Sequence, residues 1–228
     1  MKTNLFNKKS NILLGYILVA GTAFFTAFSY IFGKKVSEEL YPETVAFYWF
    51  FGAFLFAVLK RLLFGVFGTR FRVSLSDLWK YKELMVISSI VTVFGVAFWV
   101  IALRSAGPPV TSFLMKFQVV FSVMLGAFFL KERLRKLEIF GIFLTIFGGL
   151  VITYDTSSFE LHGAFYAVMA AFCYSCLFII VRKKGSDLNM MMVATLRSLG
   201  VSVIGILYLV LSGRFQLPNN IDLVYMLI

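Results

Sequence analysis

The chain reads as an all-α polytopic membrane protein, an inverted repeat of five-helix units. About seven full transmembrane helices precede the start of an eighth, where a complete chain of this plan has ten. Three observations carry that reading. The first is composition: 60% of the 228 residues are hydrophobic and the mean hydropathy is +0.89, whereas soluble chains are about 45–50% apolar. The second is length, because seven separate apolar runs reach the roughly 20 residues that a hydrocarbon core requires. The third is an internal self-similarity at one fixed offset. The apolar runs do not alternate as barrel strands do, and lipid admits only helices or closed barrels.

In chain order the spans are Ile12–Gly33, Pro42–Leu63, Leu84–Leu103, Pro108–Leu130, Leu137–Tyr154, His162–Val181 and Met190–Leu211. The first follows a basic start, MKTNLFNKKS, like that of a signal peptide. Its apolar run continues to Gly33, beyond the roughly 7–15 residues of a cleaved h-region, so it reads as a retained helix. Pro108 and Pro109 can open the fourth span, since first-turn amides have no intrahelical partner to lose. A cationic elbow of Lys131, Glu132, Arg133, Arg135, Lys136 and Glu138 then leads into the fifth, and it reads as a solvated loop that sets topology. That fifth span carries Gly141, Thr145 and Gly149 at four-residue spacing, a small-xxx-small stripe suited to close helix packing in lipid. Residues 221–228 read as the start of an eighth span.

The net charge of +11 is better explained by topology than by nucleic acid, because the basic residues fall between the spans. With the N-terminus in the cytoplasm, sixteen of the 22 Lys and Arg lie in inner segments. Four lie outside, Lys34, Lys35, Arg104 and Arg214. Positive charge concentrates in cytoplasmic loops, so the expectation is a multi-pass protein of the plasma membrane with its N-terminus inside.

The repeat appears when the chain is slid by 148 residues, which lays Gly15–Leu59 over Gly163–Leu207 without a gap. A span, a basic pair and a second span then coincide. Ten residues are identical, among them Gly15/Gly163, Lys35/Lys183 and Gly52/Gly200. Five spans per unit is an odd number, so the second unit enters the membrane from the opposite side, as in many secondary transporters. The units are residues 1–154 and 155–228, the second incomplete.

Ala102-Leu103, Ser105-Ala106, the run Phe129-Leu130-Lys131-Glu132-Arg133-Leu134, Gly141 and Gly148-Gly149 together resemble the EamA domain. That domain is the repeat unit of the drug/metabolite transporter superfamily. The resemblance implies ten helices in two inverted units around a central cavity, exporting or exchanging small metabolites such as amino acids. The chain departs from the family pattern at Val119, where a proline is frequent, and at Lys131, where glycine often precedes the glutamate. An arginine common in the second helix of a unit is Trp49 here, while Arg197 holds the equivalent place in the second unit.

Seven residues are candidates for the substrate site. Lys116 lies seven residues past Pro109, about 10 Å below the outer end of its span. An ammonium there costs about 2.5–3.5 kcal/mol unless it faces a cavity, a partner or the interface. It reads as a cavity residue for an anionic or zwitterionic metabolite, against the alternative of snorkelling to the headgroups. Gln118 and Ser112 support it, Ser112 being four positions before it on one helix face. Arg197 lies within the seventh span, and Trp49, Trp99 and Tyr174 are aromatic candidates for the same cavity.

An intramembrane enzyme needs paired acids, histidine clusters or a nucleophile with a base at membrane depth. The chain has one histidine, His162, and no acidic residue well inside a span. No enzyme activity, cofactor or metal is expected, and Cys173 and Cys176 read as small packing residues. The partners expected are a small metabolite, the lipid bilayer and, as a candidate, a second copy of the chain. The alternative function is a truncated, non-transporting fragment or partner subunit.

Overall fold

The computed structural model describes residues 3–65, 79–132, 134–154, 161–185 and 190–218. These form seven helices and no strand: α1 (Thr3–Glu39), α2 (Pro42–Gly65), α3 (Lys82–Leu114), α4 (Phe117–Phe129), α5 (Lys136–Tyr154), α6 (Leu161–Lys184) and α7 (Met190–Ser212). The protein is therefore all-helical, and five of these helices, α1, α2, α3, α6 and α7, are long and apolar enough to cross a membrane. The eighth-span start at 221–228, the acidic residues Asp155 and Glu160 and the side chain of Arg133 lie outside the described residues.

The core is a packing of α6 on α3. Gly163, Ala167, Ala171 and Ser175 recur every four residues on α6, and all four are buried. Without bulky side chains the two backbones approach closely. A Cβ added at Gly163 would sit 2.7 Å from the backbone nitrogen of Ala106. In lipid, where apolar side chains gain nothing by leaving the solvent, such close van der Waals contact is what joins helices. The stripe on α5 is used differently. Gly149 is buried under the ring of Phe117 and Gly148 under that of Phe113, but none of the described residues lies within 4 Å of a Cβ at Gly141. The hydroxyl of Thr145 donates to the Gly141 carbonyl of its own helix at 2.8 Å.

The fourth span, read as one helix from Pro108 to Leu130, is divided in two. Gly107 takes φ 76°, ψ 168°, which breaks the helical path inside α3. Pro108 and Pro109 follow in the next first turn, where their missing N–H groups cost nothing. A second break falls at Met115–Lys116. There the amides of Lys116, Gln118 and Val119 bond the carbonyls three residues back, to Phe113, Met115 and Lys116, at 2.9–3.0 Å. That is the tighter 3₁₀ pattern, which inside a helix marks a hinge or a strained stretch. No glycine or proline forces it. Tertiary contacts flank it: Phe113 and Phe117 press on α5, and the Ser175 hydroxyl of α6 lies 2.8 Å from the Gln118 carbonyl.

Charged groups sort to the two ends of the bundle. At one end Lys34 bonds the Arg104 carbonyl at 2.9 Å and pairs with Glu38 at 3.2 Å, while Arg214 pairs with Glu43 at 3.4 Å. At the other, Lys184 pairs with Glu83 at 2.9 Å and Arg182 with Glu132 at 2.6 Å. The elbow is thus more than a solvated loop. Lys131 turns the chain with φ 54°, Gly126 leaves room for the Glu132 carboxylate, 3.2 Å from where its Cβ would stand, and Glu132 reaches α6. Glu138 then caps α5 by accepting from the Arg135 amide at 2.7 Å, half of a capping box.

Candidate functional site

Midway along the helices, α1, α2, α3 and α6 leave a cavity of about 330 Å³ between them. Its wall is built on the α3 register. Val96 and Trp99 face it from α3, Met115 from the turn after α3, and Tyr174 from α6. Trp49, Phe50 and Ala53 enter from α2, at one-turn spacing. Tyr30, Ser29 and Thr26 complete it from α1. This volume lies at the small end of the range for sites that enclose small molecules, about 300–1,000 Å³.

The rings hold one another in place. Trp49 and Trp99 have centroids 5.0 Å apart with planes at 38°, and Tyr30 meets Trp99 edge-on at 5.4 Å. Gly33 is the floor beneath both indoles, since a Cβ there would stand 3.1 Å from the Cη2 atom of each. Gly95 does the same for Tyr174, at 3.5 Å from its ring, and for Cys173 at 3.3 Å. The wall belongs to the main buried cluster, with Val36, Val45, Val100, Leu103 and Ala170 behind it. Among the described residues, no charged side chain lines the cavity. The hydroxyls of Thr26 and Ser29 donate to the Thr22 and Phe25 carbonyls of their own helix, at 2.7 and 3.1 Å.

Of the seven candidates, the structure brings Trp49, Trp99 and Tyr174 together on this cavity. Arg197 stands one layer back. Its guanidinium carbon is 5.7 Å from the centroid of Phe50, and its Nε is buried without a hydrogen-bond partner among the described residues. Lys116 is exposed and does not line the cavity, although its neighbour Met115 does. Ser112 spends its hydroxyl on the Pro109 carbonyl at 2.9 Å. A 3₁₀ turn lies between Ser112 and Gln118, at Met115–Lys116. Gln118 opens instead on a second, more polar cleft of about 540 Å³, with Ser122, Glu132, Glu138 and Arg182.

Sequence reasoning missed Tyr30, Phe50 and Met115. Tyr30 and Phe50 sit at the one-turn spacings that join Thr26 to Tyr30 and Phe50 to Ala53, but 18% aromatic content hides such a pattern. Met115 had no signal, because its exposure to the cavity depends on the turn.

The comparisons with known proteins agree with this architecture. Residues 13–154, more than half of the chain, match the model of the EamA-like transporter family. Neither a curated protein nor a solved structure matches. Members of the matched family are transporters rather than enzymes, and the long apolar helices make this chain a multi-pass membrane protein. The chain belongs to the EamA-like transporter family, membrane transporters of the drug/metabolite type.

Proposed function

We propose that the protein is a secondary transporter that exports or exchanges small metabolites, amino acids among them, across the plasma membrane. The cavity between α1, α2, α3 and α6 is the substrate site, with Trp49, Trp99 and Tyr174 as contact residues and Arg197 behind them. One observation carries the reading: the wall draws Trp49 and Trp99 from residues before 154 and Tyr174 from beyond it. A site at the junction of two repeats is what alternating access needs, because relative motion of the units then exposes it to one side at a time. The divided fourth span supports this, since discontinuous helices flank such sites. The N-terminus is proposed to be cytoplasmic and the units, 1–154 and 155–228, to be inverted repeats.

Lys116 is proposed to act at the exposed break as an attractor for anionic groups and not as a lining residue. Counterflow of labelled amino acids in proteoliposomes tests the whole. Trp99→Ala is expected to lower counterflow at least tenfold, while Lys116→Ala lowers it by less. Counterflow that Trp99→Ala leaves intact would move the substrate site elsewhere.

A further inference from the structure

We infer that the cavity selects flat aromatic solutes and rejects organic cations, an inference that rests on the cavity being the transporter's substrate site. Five rings, those of Tyr30, Trp49, Phe50, Trp99 and Tyr174, border one space of about 330 Å³. Trp49 and Trp99 are tilted 38° to each other and Tyr30 stands at 72° to Trp99. An entering ring therefore finds both faces and edges, the two geometries that aromatic pairs prefer, each adding about two- to tenfold to affinity beyond area burial. The Thr26 and Ser29 protons are already spent on helix carbonyls, so the polar groups of the wall are those of the rings themselves, the tyrosine hydroxyls and indole N–H groups.

A ring-lined box is also how proteins bind quaternary ammonium groups. What stands behind the wall separates the two chemistries. The Arg197 guanidinium lies against Phe50, and it makes no ion pair among the described residues. No carboxylate among the described residues lines the cavity. A cation entering this low-dielectric space meets an unneutralised positive charge and no counter-charge, where such terms are strongest. An aromatic solute that carries a carboxylate meets no such penalty.

The protein supplies its own reporter. Two of its three tryptophans line the cavity, and the third, Trp79, is 73% exposed. In the full chain carrying Trp79→Phe, in detergent, fluorescence is titrated with phenylacetate, cyclohexylacetate and phenyltrimethylammonium. Phenylacetate is expected to give a saturable change, with cyclohexylacetate about two- to tenfold weaker and the cation without effect. Equal affinities for the two carboxylates, no saturable response to phenylacetate, or tightest binding of the cation would each overturn the inference. Arg197→Met in the same background is expected to admit the cation, and continued exclusion would overturn the part assigned to Arg197. Binding is read without a gradient. Ring preference without any counterflow would sink the transport reading alone, and counterflow without ring preference would sink this one alone.

Discussion

Glu132 and Arg182 form a two-pronged ion pair, with oxygen–nitrogen distances of 2.6 and 3.1 Å, that fastens the elbow after α4 to the end of α6. Both side chains are about half exposed, at 45% and 50%, so solvent screens the pair. A double-mutant cycle with Glu132→Gln and Arg182→Gln is expected to give a coupling of about 1 kcal/mol or less in detergent unfolding. A coupling several times larger would mean that the pair is far better shielded than this geometry allows.

Lys131 holds φ 54° directly after the α4 C-cap, a conformation that costs a residue with a Cβ about 1–2 kcal/mol. Glycine is the frequent residue there in the family the chain resembles, and the turn explains why. Lys131→Gly is expected to raise the melting temperature in detergent, and Lys131→Val to lower it. The opposite order would refute the left-handed turn.

Gly33 touches both cavity indoles. Gly33→Ala forces Trp49 or Trp99 to shift and is expected to cost about 1–3 kcal/mol, with a change in intrinsic fluorescence. An unchanged spectrum and melt would show that the rings are not seated on Gly33.

Gly149 and Gly141 make a matched contrast on α5. A Cβ at Gly149 would press to 2.8 Å on the Phe117 ring, whereas one at Gly141 meets none of the described residues within 4 Å. Gly149→Ala is expected to destabilise by about 1–3 kcal/mol and Gly141→Ala to change stability little. Equal losses would mean that Gly141 packs against something as well.

Orientation is tested by labelling. With the free cysteines Cys173 and Cys176 changed to alanine, an impermeant maleimide added to intact cells is expected to react at Glu39→Cys and not at Lys183→Cys. The reverse pattern would place the N-terminus outside.

Much of the fold was legible in the chain because lipid constrains it so strongly. A backbone in hydrocarbon must satisfy its own hydrogen bonds, so length and apolarity alone mark a helix. That argument marked the five long helices, α1, α2, α3, α6 and α7, and Pro108 and Pro109 marked a helix start directly after the break at Gly107. The second break at Met115–Lys116 was illegible, because no glycine or proline marks it and the contacts that flank it, of Phe113 and Phe117 with α5 and of Gln118 with α6, are tertiary.

The candidate site divides the same way. Trp49, Trp99 and Tyr174 were nameable as aromatics within spans, yet nothing in one-dimensional spacing said that α1, α2, α3 and α6 would turn them onto one space. Lys116 was the sharpest residue in the sequence, because a buried ammonium is costly wherever a helix runs straight. The turn it sits in leaves that ammonium exposed. Composition and periodicity determine what must be shielded from water. Only the packed helices decide which faces meet, since that depends on where glycines and alanines let two backbones close and where large rings hold them apart.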